Sequence, residues 1–113
     1  MRLSEQEFTQ LKTGKRPNMK PPKESEIQSA IREYLRWHGW FVVKIHQSLG
    51  SVKGIADLYA LKNGRSAWIE VKTPKGRLSE HQELFREDVV NHGGVYMVAR
   101  SVDDVKNLEV VKC

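Results

Sequence analysis

The dipeptide Asn63-Gly64 lies between two runs of strand-forming residues, and it restricts the fold more than any other feature of this 113-residue chain. Asn-Gly is the strongest short-range signal for a two-residue type I′ hairpin turn. It predicts two antiparallel strands, from Asp57 to Lys62 and from Arg65 to Lys72. In such a hairpin Lys62 faces Arg65, and each residue before Lys62 pairs with the corresponding residue after Arg65.

This register brings two acidic residues together. Asp57 lies directly opposite Glu70, with Cβ atoms roughly 4.5–5.5 Å apart and both side chains on one face of the sheet. Two carboxylates this close repel each other, so one must be protonated or a cation must lie between them. A divalent metal ion is the simplest solution. Lys72 shares the same face because side chains alternate along a strand with a period of two.

A metal ion, two carboxylates and an ammonium group on one patch are typical of a site that hydrolyses phosphate esters. The metal polarises the phosphate and acidifies a bound water molecule. Lys72 then orients this water or stabilises charge in the transition state. The alternative is a solvated strand face on which Asp57 and Lys72 form an ordinary salt bridge of little energetic value. A β-bulge near the turn would also break the predicted pairing.

The rest of the chain alternates helical and strand patterns. Gly39 ends the first helix, and Ser79 begins the second with Gln82 as its capping-box partner. The predicted elements are a helix at 24–38, a strand at 40–46, the hairpin strands, a helix at 79–91, a strand at 95–99, a short helix at 101–108 and a last strand at 109–112. The order αβββαβ predicts an α/β fold in which helices pack on a mixed β-sheet.

Charge is distributed unevenly along the chain. The formal net charge is +5, and residues 1–23 contain six Lys or Arg against two Glu. We interpret this segment as a basic N-terminal arm or linker and residues 24–113 as one domain. Within the arm, Ser4 and Glu7 form a capping-box pattern for a short helix, whereas Pro21 and Pro22 block regular structure. A basic arm favours a polyanionic partner, although it can also serve solubility alone.

Several protein classes are excluded or disfavoured. Cys113 is the single cysteine, so neither an internal disulfide nor a cysteine-based zinc site is possible. No apolar run reaches the length of a membrane span, and the N-terminus lacks the apolar region of a signal peptide. We therefore expect a soluble cytoplasmic protein. We expect Trp37, Trp40 and Trp68 to lie in the core.

Two further polar residues have two interpretations each. Glu24 lies near the edge of the apolar stripe of the first helix, so it is the helical acid expected to face inward. An acid at this position also interacts favourably with the helix dipole. Gln82 is either a site residue or simply a helix cap.

Several motifs follow one another along the chain. GIAD ends at Asp57, IEVK places Glu70 thirteen residues after Asp57, and a Pro-Lys-Gly-Arg-Leu-Ser loop and Gln82 come next. Together they resemble the VRR-NUC family of the PD-(D/E)XK nuclease superfamily, in its small stand-alone phage-type form, over roughly residues 24–105. The resemblance implies a restriction-endonuclease-like fold and a nuclease of branched or structured DNA that is often dimeric. The family usually has proline where this chain has Ala56, which removes a rigid turn into the strand but no metal ligand.

The resemblance also assigns roles to individual residues. It implies that Asp57 and Glu70 are metal ligands, that the carbonyl of Val71 is a third ligand, and that Lys72 is the catalytic lysine. Glu24 corresponds to the acid of the first helix, and Gln82 to the glutamine of the second. Mg²⁺ or Mn²⁺ is the expected cofactor, because hard divalent cations prefer oxygen ligands.

Four other residues are candidates for contact with DNA. Lys44 and His46 alternate along the first predicted strand, and the family often has basic and polar residues near these positions. Lys75 and Arg77 lie in the loop that follows Lys72, where they can hold phosphates in a salt-sensitive and sequence-independent way. The alternative for each is an ordinary solvated residue, and His46 can also be a core histidine.

The sequence therefore favours a Mg²⁺- or Mn²⁺-dependent endonuclease that hydrolyses DNA phosphodiester bonds. Because one such site cuts one strand, a role in resolving Holliday junctions needs two sites, and a symmetric homodimer is the simplest source of both. One alternative is a non-catalytic accessory module that binds nucleic acid. Another is an interaction domain of a phage replication or packaging complex, in which the carboxylates only stabilise the hairpin.

Overall fold

A computed structural model describes residues 20–46 and 52–110, except for the side chains of residues 109 and 110. The elements are helix α1 (Glu24–Trp37), strand β1 (Phe41–Lys44), strand β2 (Leu58–Lys62), strand β3 (Arg65–Val71), helix α2 (Glu80–Asn91), strand β4 (Tyr96–Ala99), helix α3 (Val102–Val105) and a 3₁₀ helix (Lys106–Val110). The predicted αβββαβ order is confirmed. The helix predicted around Ser4 and Glu7 lies outside the described residues.

The four strands form one mixed sheet in the order β1-β2-β3-β4. Neighbouring strands are antiparallel from β1 to β3, whereas β4 runs parallel to β3. The hairpin has the predicted register, since Lys62 pairs with Arg65 and Leu58 with Ile69. Asn63 and Gly64 both have positive φ, at 51° and 78°, as a type I′ turn requires.

Helix α1 covers one face of this sheet with a closely packed aliphatic core. Ile27, Ile31 and Leu35 recur at spacings of four residues, so they share one side of the helix, and all three are buried. They join a cluster with inward-facing residues of the strands, such as Leu58 and Ile69, and with Val105 and Leu108 near the end of the chain. This face provides most of the hydrophobic stabilisation.

Helix α2 covers the opposite face in a different way, because none of its residues is buried. Its contact with the sheet is aromatic. The ring of Phe85 meets Trp68 edge to face at a centroid distance of 5.3 Å, and Trp68 in turn lies 4.8 Å from Tyr59. Edge-to-face pairs are favourable because the positive edge of one ring meets the negative face of the other.

Two predictions about the core and the chain end are wrong. Trp40 is buried and Trp68 is half-buried, but Trp37 is 88% exposed. The reason is helical geometry, because Trp37 follows buried Leu35 by two residues, a rotation of about 200° away from the core. At the predicted last strand, residues 109 and 110 belong to the 3₁₀ helix, and residues 111 and 112 lie outside the described part.

Within residues 20–46 and 52–110, no helix combines the length and the apolar character that crossing a bilayer demands.

Candidate active site

Asp57 and Glu70 meet at the end of the β2–β3 hairpin that lies away from the turn. Asp57 immediately precedes β2, one step beyond the pair formed by Leu58 and Ile69. Its carbonyl accepts a hydrogen bond of 2.7 Å from the backbone of Ile45. Its carboxylate oxygen Oδ2 accepts another, of 2.9 Å, from the backbone N–H of Val71. The Asp57 side chain is therefore fixed across the ladder from Glu70.

Glu70 is a charged residue in an almost completely buried position, with 1% of its surface exposed. Its oxygen Oε2 accepts a hydrogen bond of 3.0 Å from the amide Nε2 of Gln82. The ammonium nitrogen of Lys72 lies 3.7 Å from the same oxygen. The other oxygen, Oε1, is buried and accepts no hydrogen bond from any residue that the structure describes. An unsatisfied buried carboxylate oxygen is costly unless a proton or a cation reaches it.

The acidity of Glu70 reflects these surroundings. Burial raises the pKa of Glu70 to about 8, because the charged form loses its hydration. The negative charge of Asp57 adds to this rise, whereas the ammonium of Lys72 opposes it. At neutral pH and without a bound cation, Glu70 therefore holds a proton. A divalent cation between the two carboxylates would reverse this preference.

Gln82 caps helix α2 and also donates a hydrogen bond to Glu70. Its backbone N–H donates to the hydroxyl of Ser79 at 3.2 Å, and its side-chain oxygen accepts from the backbone of Ser79 at 2.9 Å. These two bonds form the predicted capping box at the start of α2. The remaining amide nitrogen is free to donate to Glu70, so the cap also orients the amide toward the site.

The position of α2 depends on close contact with Gly54. This glycine has a positive φ of 76°, and a Cβ atom there would overlap the backbone carbonyl of His81 and crowd the backbone of Gln82. Only glycine allows the loop before β2 to approach the first turn of α2 this closely. Gly54 thus determines how far Gln82 lies from Glu70.

Glu24 lies at the start of α1, where its side chain is exposed. Its charge makes a small contribution to the raised pKa of Glu70, so the two acids belong to one electrostatic neighbourhood. Across the described residues, however, no group of three or more His, Cys, Asp or Glu side chains is placed to hold a metal ion. The acidic side chains at the hairpin end are therefore the pair Asp57 and Glu70. Val71, whose carbonyl was the predicted third ligand, is fully buried between Glu70 and Lys72.

The predicted DNA-contacting residues lie in two different places. Lys44 pairs with Leu58, which pairs with Ile69, so its side chain starts on the α1 face of the sheet and not on the face of Glu70. His46, two residues later, is exposed. The two residues predicted in the loop after β3, Lys75 and Arg77, are exposed close to Lys72 in the chain.

The sequence analysis did not identify Arg100, which follows β4. Its guanidinium nitrogen Nη1 donates to the carbonyls of Thr73 at 2.7 Å and of Gly76 at 2.6 Å, with a longer contact of 3.4 Å to Pro74. Arg100 therefore holds the basic loop against the end of the sheet. Its distance in sequence from that loop, 24 residues or more, means that no local spacing could have revealed this contact.

Tyr96 on β4 was also missed. Burial raises the pKa of Tyr96, and the nearby charge of Glu70 adds to the effect. Its hydroxyl group is buried without a hydrogen-bond partner among the described residues. A tyrosine inside an apolar strand is an ordinary sequence feature, so only the fold reveals that this hydroxyl lies near the acidic pair.

Comparison with known proteins agrees with this geometry. Solved structures similar to this chain include a VRR-NUC domain with 26% identity and a TM-score of 0.67, covering 79% of this chain and 97% of that one, and a VRR-NUC domain protein with 18% identity and a TM-score of 0.67, covering 80% and 88%. The second likeness concerns the fold alone. No curated protein matches the chain. The model of the VRR-NUC domain matches residues 9–103, most of the chain. The chain therefore belongs to the VRR-NUC family, which is a family of nuclease type.

Proposed function

We propose that this protein is a metal-dependent endonuclease that hydrolyses phosphodiester bonds of DNA. The observation that carries the proposal is the state of Glu70. This carboxylate is buried opposite Asp57, one of its oxygens contacts Lys72 and Gln82, and the other has no donor among the described residues. Without a cation a proton has to occupy this oxygen, whereas a divalent cation between Glu70 and Asp57 would let both carboxylates stay ionised.

The donor set suits a hard divalent cation. Asp57 and Glu70 offer carboxylate oxygens, and the carbonyl of Val71 adds a neutral oxygen, as Mg²⁺ and Mn²⁺ prefer. The oxygen Oε1 of Glu70 is the buried polar atom that such an ion would satisfy. When bound, the ion supplies the positive charge that polarises the phosphate and acidifies water.

The other residues of the site have roles that follow from their contacts. The ammonium of Lys72 is placed to hold the attacking water or to stabilise negative charge that develops on the phosphate. Gln82 holds the Glu70 carboxylate in one orientation through its hydrogen bond of 3.0 Å. Glu24 is exposed at the rim, where it acts on the site through solvent. Lys75 and Arg77 bind flanking phosphates.

The preferred substrate in this proposal is branched DNA, cut by a symmetric dimer. A four-way junction needs two cuts, and a homodimer supplies two sites. The exposed apolar residues at the edge of the sheet favour such an interface. Phe41 is 64% exposed, its cross-strand partner Leu61 is 38% exposed, and Val43 on the same face is 36% exposed. Patches of this kind often mark protein–protein contacts.

Sedimentation of the wild-type protein and of Phe41→Lys tests the dimer. We expect the wild type to dimerise at micromolar concentration and Phe41→Lys to be monomeric, because a charge in an apolar interface is costly. A wild type that remains monomeric even with junction DNA would contradict the dimer while leaving a nuclease of nicks or flaps possible.

Cleavage of a panel of labelled DNAs tests the activity itself. Single-stranded, flapped, duplex and four-way-junction DNAs are incubated with Mg²⁺, Mn²⁺ or a chelator. We expect cleavage by the wild type only with metal, and none by Glu70→Gln or Lys72→Ala. Glu87→Gln, which removes an exposed carboxylate from α2, is the matched control and should remain active.

Calorimetry with metal alone separates this proposal from its main alternative. Asp57→Asn and Glu70→Gln should lose most of the metal binding that the wild type shows. If DNA is bound but never cut in any divalent ion, the protein is instead a non-catalytic module that binds nucleic acid.

A further inference from the structure

A groove beside the candidate site has no role in the mechanism above. It has a volume of about 350 Å³ and a mostly apolar surface, and its walls are Pro21, Pro22, Thr73, Pro74 and Lys75. One wall is the segment that leads into α1, and the other is the loop after β3. Because Thr73 directly follows Lys72, the groove lies at the same end of β3 as the candidate active site.

The loop wall of this groove has a defined shape. Residues 73–76 form a turn in which the backbone N–H of Gly76 donates to the carbonyl of Thr73 at 3.0 Å. Proline at the second position of the turn suits the backbone angle required there. Arg100 donates hydrogen bonds to the carbonyls of Thr73 and Gly76 in this turn, and its own backbone N–H donates to the carboxylate of Asp104 at 2.7 Å. The proline ring is thus presented at a fixed position.

The rim of the groove is positively charged on both sides. Lys20 and Lys23 flank the two prolines of one wall, Lys75 is part of the other wall, and Arg77 follows it by two residues; all four side chains are exposed. An apolar floor between exposed cations is complementary to a ligand that is flat and apolar in one part and anionic in another. A nucleotide of a DNA strand fits this description, with its base on the floor and its phosphates at the rim.

We propose that this groove binds an unpaired nucleobase of the DNA strand next to the bond that is cut. The inference rests on the proposed nuclease function and specifies its substrate. A base inside a duplex has both faces covered by its neighbours, so it can enter the groove only after costly unstacking. An unpaired base in a flap, or at a branch that leaves bases unpaired, needs little further unstacking. The groove thereby gives a physical reason for a preference for DNA of this kind over a fully paired duplex.

Binding measured in chelator, where no cleavage occurs, tests the groove separately from catalysis. Three DNAs share one sequence: a fully paired duplex, the same duplex with one unpaired 2-aminopurine, and the same duplex with an unpaired abasic residue. We expect the unpaired base to strengthen binding about tenfold over the duplex, the change that one stacked base typically supports. The abasic DNA should lose this gain, and the fluorescence of 2-aminopurine should change on binding.

Variants of the protein locate the effect. Pro74→Ala and Pro22→Ala each remove one ring from the groove, so both should reduce the preference for the unpaired base while affinity for the paired duplex stays unchanged. Val90→Ala removes exposed apolar surface from α2 and serves as the matched control. Thermal unfolding checks that each variant is folded. The abasic DNA tests the same contact between base and groove in the wild-type protein, without any substitution.

The outcomes distinguish this inference from the proposed function. Equal affinity for unpaired and abasic DNA, with metal-dependent cleavage intact, would overturn the groove and leave the nuclease standing. A preference for the unpaired base that both proline variants lose, in a protein that cuts no DNA, would support the groove and refute the nuclease. Absence of binding to all three DNAs would overturn the groove.

Discussion

The two faces of the sheet are built for different purposes. On the α1 face, Ile31 and Leu35 are fully buried against aliphatic strand residues. On the α2 face, the helix buries none of its residues, and Leu84 and Val90 remain more than half exposed. This second face nevertheless buries a carboxylate, Glu70, and partly buries Lys72. The α1 face therefore supplies stability that offsets the cost of burying polar groups on the α2 face.

The largest effect should come from truncating a buried aliphatic residue on α1, compared with an exposed one on α2. We expect Ile31→Ala on α1 to lower the free energy of unfolding by about 2–5 kcal/mol, because it leaves a cavity in a closed core. Leu84→Ala on α2 removes a side chain that is 53% exposed, so the expected change is within about 0.5 kcal/mol. Urea unfolding measures both variants. Similar losses for the two variants would show that the faces do not differ in this way.

The α1 face and the hairpin were predictable from the sequence because their signals are local. The spacing of Ile27, Ile31 and Leu35 predicts one buried helical side, and Asn63-Gly64 determines the pairing of every residue along β2 and β3. The predicted juxtaposition of Asp57 and Glu70 follows from that turn alone.

The remaining features depend on contacts between distant segments. Arg100 reaches a loop more than twenty residues away, and Gly54 is close to α2 only because of the way the loop before β2 folds back. The last predicted strand failed for another reason. Residues 109–112, EVVK, have strand-like composition, but residues 109 and 110 continue the 3₁₀ helix, whose residue Leu108 is buried in the α1 core. Local propensity is weaker than such tertiary packing.

A pH titration of stability sharpens the comparison, because Glu70 on the α2 face is the one buried acid among residues 20–46 and 52–108. In the folded protein the pKa of Glu70 is raised to about 8 from an ordinary 4.5. The folded state therefore binds the proton more tightly than the unfolded state does, and the stability from this group declines as pH rises from 4.5 to 8. In chelator, Glu70→Gln should abolish that decline and be more stable than the wild type above pH 8, by on the order of 1–4 kcal/mol.

Chemical unfolding at several pH values from 4 to 9 measures this difference. Glu87→Gln, which changes an exposed carboxylate on α2, should follow the wild-type curve. The difference in stability between the wild type and Glu70→Gln should change across this range. A constant difference would contradict the buried, protonated state of Glu70. Adding Mg²⁺ or Mn²⁺ should stabilise the wild type and not Glu70→Gln, because only the wild type retains both carboxylate ligands.

The contact between Gly54 and α2 offers a more local test of how the second face is positioned. Gly54→Ala introduces a Cβ atom that overlaps the carbonyl of His81, so the start of α2 must move away from the sheet. We expect the free energy of unfolding to fall by roughly 1–3 kcal/mol, as for other overpacked sites. Metal binding should also weaken, because Gln82 no longer orients Glu70.

Gly64→Ala is the matched control for this substitution. Gly64 has a similar positive φ of 78°, but a Cβ atom there meets nothing within 4 Å. Gly64→Ala therefore introduces the backbone strain without the overlap, and metal binding should be unchanged. Equal effects of the two substitutions on metal binding would mean that the close approach of Gly54 does not position Gln82.

The smallest expected effect concerns the basic loop that follows β3 at the end of the sheet. Arg100→Ala removes the donors to the carbonyls of Thr73 and Gly76, so Lys75 is no longer held in one place. We expect DNA affinity in chelator to fall about three- to tenfold, equivalent to about 1 kcal/mol, with metal binding intact. Arg100→Lys keeps the charge but lacks the planar fork of donors, so it should resemble Arg100→Ala.

If Arg100→Lys instead binds DNA as the wild type does, Arg100 acts through its charge on the DNA phosphates and not through the shape of the loop. The dependence of affinity on salt separates these cases, because a lost phosphate contact lowers the slope whereas a loosened loop that keeps its cations leaves most of it.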